Sequence, residues 1–227
     1  MFRRNFLKNS IIGSLSASTI MSLTNKNNPI VKSVPRIIST WKHGVNANKI
    51  AWKKLNNGEG GLTAVEYGVR DSENDPNERS VGYGGLPDRE GKVTLDACIM
   101  DSNNDCGSVS FLENIKNPIS VARLVMEKTP HIMLSGKGAY DFAIENGFKS
   151  ENLLTEQSKK DWENWLKKSE YKPIINIENH DTISMLLIDS DRNLFGACTT
   201  SGAAWKMHGR VGDSPIIGAG LSLDNDV

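Results

Sequence analysis

Apolar residues recur at three- and four-residue intervals in some stretches of the chain and alternate with polar ones in others. Pro35–Trp41 is rich in β-branched residues and lies between Pro35 and Gly44, which predicts a strand. Asn46–Leu55 sets Ile50, Trp52 and Leu55 on a partial apolar stripe, a helix that Gly60-Gly61 breaks. Leu62, Val65 and Val69 resume helical spacing until Asn74-Asp75-Pro76 stops it. Val93–Met100 and Gly107–Leu112 predict two strands around the polar turn Asp101–Asp105. Pro118 suits the first turn of a helix running to Lys128. His131–Leu134 predicts a short strand and Gly138–Asn146 a short helix. Thr155–Ser169 is the most polar helix, with Trp162, Trp165 and Leu166 on one face. A connector, Tyr171–Asn179, contains Pro173. Thr182–Asp189 and Leu194–Thr200 then predict two strands, with Asp189–Asn193 as their hairpin turn. Gly202–Gly220 is loop-rich. Ser80–Gly85 is a Gly-rich turn without the strand–glycine–helix setting of a nucleotide site. The order of elements predicts an α+β fold without internal repeats.

Composition narrows the class. Apolar residues make up 38% of the 227 and charged residues 24%, as in a globular protein. Lys plus Arg and Asp plus Glu number 27 each, so no net field draws the chain to nucleic acid or an anionic membrane, and a small or neutral substrate is the natural partner. The three cysteines, Cys98, Cys106 and Cys198, form no CxxC pair, and the four histidines are scattered, so no zinc pattern arises. They read as buried free thiols, with a Cys98–Cys106 bridge across the strand–turn–strand as the alternative. Arg3-Arg4-Asn5-Phe6-Leu7-Lys8 followed by the apolar run Ile11–Leu23 is a twin-arginine export pattern. The run is too short for a permanent membrane anchor, which needs about 20 apolar residues. Residues 1–30 are therefore expected to be a signal peptide and spacer, and the protein to be periplasmic or secreted in a bacterium.

Candidate chemistry lies at Asn179-His180-Asp181-Thr182, where a polar connector ends and an apolar strand begins. A threonine hydroxyl is inert at neutral pH without a base beside it. The α-amino group of the same residue, with a pKa of about 7.7–8.0, can be that base, but only after the chain breaks before the threonine. An upstream Asp can assist the break, in which the hydroxyl attacks the Asp181 carbonyl. On these four residues alone, a strand that happens to start with threonine is the plainer reading. Arg210 and Asp213 can grip the carboxylate and ammonium of an amino-acid substrate, or pair with each other in a tight loop. Thr200 reads as a strand residue and Trp41 as core.

The longer C-terminal stretch changes this balance. His180-Asp181-Thr182-Ile183, Gly196-Ala197-Cys198-Thr199-Thr200-Ser201-Gly202 and Gly209-Arg210-Val211-Gly212-Asp213-Ser214-Pro215 are similar to glycosylasparaginases, members of the N-terminal nucleophile hydrolases. The likeness extends to Ser39-Thr40-Trp41 and to the stretches 75–85, 93–101 and 115–123, and so covers almost all of the chain after residue 35. The resemblance implies a four-layer αββα sandwich, with residues 31–181 as the upstream subunit, 171–181 as its processing linker, and 182–227 as the start of the downstream subunit. It implies cleavage between Asp181 and Thr182, with His180 and Asp181 on the leaving side and Thr182 as nucleophile. Thr200 would bond near the nucleophile, Arg210, Val211, Gly212 and Asp213 would bind the asparagine moiety, and Trp41 would shape the pocket. The implied reaction hydrolyses the amide between asparagine and N-acetylglucosamine without a cofactor, in a dimer of cleaved protomers. Family chains run past the point where Val227 ends this one, and the Thr-Gly loop of the oxyanion hole is expected there, so the C-terminal part of the fold is expected to be missing. His43 stands where the family pattern has an aromatic residue. A plant-type asparaginase or isoaspartyl peptidase is the nearest alternative, although those carry Gly-Thr-Val at the cleavage point; an inactive remnant is the other.

Overall fold

The computed structural model describes residues 35–168 and 182–225. The leader reading over residues 1–30, the linker 171–181, His180 and Asp181 lie outside the described residues. The elements follow the sequence pattern closely. β1 is Arg36–Ser39, α1 Gly44–Asn56, α2 Gly61–Asn74, β2 Thr94–Met100 and β3 Cys106–Glu113. α3 is Pro118–Lys128, β4 Met133–Ser135, α4 Gly136–Glu145, α5 Glu156–Lys168, β5 Ile183–Ile188 and β6 Leu194–Thr200.

The strands make one six-stranded sheet in the order β1-β5-β6-β2-β3-β4. All neighbours run antiparallel except β3 and β4. Along β5, alternation sends Ile183, Met185 and Leu187 to one face, where they are buried with Ala97 and Ile99 of β2, Val109 of β3 and Ala197 of β6. α1 to α4 cover that face, with Ala47 and Ala51 from α1, Val65 and Val69 from α2, and Ile119, Ala122 and Val125 from α3. Small residues let the layers approach: a Cβ on Gly107 would run into the Ala122 carbonyl and the start of the Met126 side chain. On the opposite face, Cys98, Met100 and Cys198 are covered by Leu221, Leu223 and Ile217 from the loop-rich end. The described residues thus form an α+β unit of one helical layer on one sheet.

The cysteines are free, as their first reading has it, and Trp41 is not the core residue that its own stretch suggests. Cys98 and Cys106 do not form a bridge: all three cysteines are free, Cys98 stands opposite Ser108 on β3, and Cys106 stands opposite Met100, so the two are out of register. Trp41 is not core but half exposed, with φ at +62°. On the polar helix α5, Trp165 stacks on Trp205 with centroids 5.5 Å apart, and Trp162 Nε1 donates to the Arg89 carbonyl, whereas Leu166 stays exposed.

Candidate active site

Thr182 sits immediately before β5, and β5 pairs with β6 so that Ile183 faces Thr199. The same register, extended by one residue, sets Thr182 opposite Thr200. The Thr40 hydroxyl, at the end of β1, donates to the Thr182 carbonyl at 2.7 Å and accepts the Ser184 N–H at 3.0 Å. The Thr182 hydroxyl oxygen is 3.4 Å from that of Ser214, which is 1% exposed. Sequence reasoning assigned no role to either partner. The signals were their positions, next to Trp41 in Ser-Thr-Trp and next to Asp213 in Gly-Asp-Ser-Pro.

The Thr200 hydroxyl donates to the Ser80 carbonyl at 3.2 Å and accepts the Gly202 N–H at 2.9 Å. It therefore pins the exit of β6 to the Gly-rich turn. Across β6, Thr200 faces Asp96 of β2, where the β2–β3 register shifts and the Asp96 carboxylate takes the Phe111 N–H at 2.8 Å. Such bulges re-aim side chains, and they concentrate beside active sites.

Arg210 arrives on the loop after β6. Its guanidinium lies where Cβ atoms on Gly202 and Gly212 would come within 2.9 Å and 2.8 Å of it, so only glycines leave it room. Lys206 is buried beneath the same loop, donating to the Ser201 carbonyl at 2.8 Å and the Thr94 carbonyl at 3.3 Å. Burial lowers its pKa, and the nearby Asp96 and Asp88 carboxylates oppose that shift. The buried Asp88 carboxylate accepts from His208 Nδ1 at 2.7 Å, a bond that raises the pKa of His208. Asp213 is exposed, and its charge is felt at the Cys98 and Cys198 thiols. Val211 is exposed beside it.

Trp41 and His43 line a cleft of about 530 Å³ with Asp71, Asp75 and Glu78. His43 Nδ1 meets the Ser72 hydroxyl at 2.8 Å, which engages this ring with α2. The structure thus gathers Thr182, Thr200 and the loop bearing Arg210 at one end of β5 and β6, with Trp41 one residue from the Thr40 clamp. Among the described residues no group of three or more His, Cys, Asp or Glu side chains is arranged to hold a metal.

A family model described as asparaginase matches residues 20–227. The chain belongs to the asparaginase family. An N(4)-(beta-N-acetylglucosaminyl)-L-asparaginase of Elizabethkingia miricola is 60% identical over 230 residues, covering 99% of this chain and 67% of that protein. The enzyme of the same name from Rattus norvegicus is 37% identical over 234 residues, covering 89% of this chain and 66% of that protein. The chain spans about two thirds of the length of these relatives. Family membership bears out the resemblance carried by the His-Asp-Thr and Gly-Arg-Val-Gly-Asp-Ser-Pro motifs.

Proposed function

We propose that this asparaginase-family chain is a self-processing amidohydrolase precursor that acts on the amide joining asparagine to N-acetylglucosamine. The observation that carries the reading is the setting of Thr182. It heads a strand in the middle of the sheet, its carbonyl is clamped by Thr40, and its hydroxyl lies beside the buried Ser214 hydroxyl.

In the processing step the Thr182 hydroxyl attacks the Asp181 carbonyl, the amide becomes an ester, and water then releases a carboxylate at Asp181 and a free α-amine at Thr182. That amine, titrating near neutral pH, takes the proton of the Thr182 hydroxyl in turnover. The hydroxyl attacks the side-chain amide carbonyl of the substrate and the aminosugar leaves. Water then resolves the β-aspartyl ester to aspartate. Arg210, held between Gly202 and Gly212, presents a two-pronged donor for the substrate α-carboxylate, while Asp213 takes its ammonium. Thr200 fixes the neighbouring backbone through Ser80 and Gly202, and Trp41, one residue from the Thr40 clamp, is assigned the wall of the substrate pocket. The same reading gives the whole protein the family's four-layer sandwich and pairing of cleaved protomers, and the Arg3-Arg4 leader gives it export from the cytoplasm.

The intact mass of the purified protein tests the core of this reading. Wild type is expected as two pieces, the second beginning at Thr182, and Thr182→Ala as one uncut chain. A wild-type chain that stays whole while folded would overturn it.

A further inference from the structure

Cys98 on β2 stands directly opposite Cys198 on β6, on the sheet face away from the helices. The two are 0% and 1% exposed, and both are free. Directly opposed residues on antiparallel strands have Cα atoms about 4.5–5.5 Å apart, inside the span of about 4.4–6.8 Å that a disulfide bridges. Cys98 S–H donates to the Ser214 carbonyl at 3.1 Å, and the Ser184 hydroxyl donates to Cys198 Sγ at 3.3 Å. The Cys98 S–H, turning from the Ser214 carbonyl, and the Ser184 hydroxyl favour a Cys198 thiolate, whereas the neighbouring sulfur and burial push the Cys98 thiol up. The cover over the pair, Leu221 and Leu223, comes from a segment with no strand or helix of its own, the kind that opens locally before the sheet does.

We propose that Cys98 and Cys198 form a cross-strand disulfide when the folded protein meets a disulfide oxidant. The Cys198 thiolate attacks one sulfur of the oxidant and expels the other as a thiol. Cys98 then attacks Cys198 Sγ in the mixed disulfide and expels the second. The protein loses two protons and two electrons, and the oxidant gains them as two thiols. The Cys98 donor to the Ser214 carbonyl disappears, so the bond acts on the residue whose hydroxyl lies beside Thr182. Cys98 precedes the Asp181–Thr182 junction and Cys198 follows it. In the part that rests on the proposed processing, the disulfide therefore joins the two pieces covalently.

The full wild-type chain, incubated with excess glutathione disulfide and then alkylated, is digested with trypsin and cyanogen bromide without reduction. Cleavage after Met100 separates Cys98 from Cys106, so the partner of Cys198 is read directly. The expected product links peptide 93–100 to peptide 193–206, with free thiols falling from three to one and the far-ultraviolet circular dichroism unchanged. These peptides are the same whether or not the chain is cut before Thr182, so a failed disulfide and a failed cleavage are told apart. All three thiols still free, stable glutathione adducts on Cys98 or Cys198, a Cys106–Cys198 link, or a link formed only in denaturant would each overturn the proposal.

Discussion

Gly202 and Gly212 bracket the Arg210 guanidinium so closely that a methyl group on either would meet it, and the two glycines differ in a way that separates binding from folding. A Cβ on Gly212 would lie 2.8 Å from Arg210 Nη2, an obstacle at the far end of a flexible side chain. The chain absorbs Gly212→Ala by swinging the guanidinium aside, so stability should stay within about 0.5 kcal/mol of wild type. Affinity for aspartate should fall about tenfold, or about 1.4 kcal/mol. Gly202 has φ at +73° as well as contacts to both Lys206 and Arg210, so Gly202→Ala adds about 1–2 kcal/mol of left-handed strain and should melt several degrees lower. Calorimetric titration with aspartate and thermal melts of both variants check this. Undiminished aspartate binding by Gly212→Ala would show that the glycines do not seat the arginine for substrate.

Between elements, one buried carboxylate does the joining. Glu73, near the end of α2, accepts from the Thr199 hydroxyl at 2.8 Å, from Asn117 Nδ2 at 3.0 Å and from the Ile119 N–H at 3.1 Å, which ties α2 to β6 and to the first turn of α3. Burial raises its pKa from the ordinary 4.5 to about 7, although the three donors and Arg70 pull it down. The folded state therefore holds the proton to higher pH than the unfolded chain does. The stability this contributes is full below about 4.5 and is lost as pH rises through about 7. Glu73→Gln stays neutral throughout, so the melting temperature of wild type relative to this variant should decline between pH 5 and pH 8; a constant difference would mean that Glu73 is not the titrating group. None of this was legible in the sequence, where Glu73 carries no signal beyond its place just before the Asn74-Asp75-Pro76 stop. What was legible was local. Pro118–Lys128 and Leu194–Thr200 emerge as expected because periodicity and Pro at a helix start are short-range signals. The motifs marked Thr182 and Arg210 for the same reason. The Thr40 clamp, the Ser214 hydroxyl, the Trp165–Trp205 stack and the pairing of Cys98 with Cys198 in place of Cys106 all span many residues, and nothing in one stretch of sequence specifies the other.

At the scale of the molecule, the sheet order decides what a break in the chain before Thr182 can do. β5 and β6 form a hairpin, yet they do not stand at an edge: β1 flanks β5 and β2 flanks β6, and both flanking strands come from upstream of the break. The downstream piece is thereby paired on both sides. Ile183, Met185 and Leu187 bury beneath α1 and α2, each contributing about 1.5–3 kcal/mol from burial alone. The Thr40 hydroxyl bonds and the Thr199–Glu73 bond add polar ties across the same boundary. A cut within residues 169–181, whether by Thr182 or by a protease site inserted there in the Thr182→Ala chain, removes one covalent connection but none of these contacts. The two pieces should therefore elute together in native size-exclusion chromatography under reducing conditions, at the volume of the uncut chain, and separate only in denaturant. Reducing conditions matter, because a Cys98–Cys198 bond would hold the pieces together for a different reason. If the reduced pieces part in native buffer, the interleaved strand order is not what binds the two halves, and the Thr40 clamp on Thr182 would have to form and act before the cut alone.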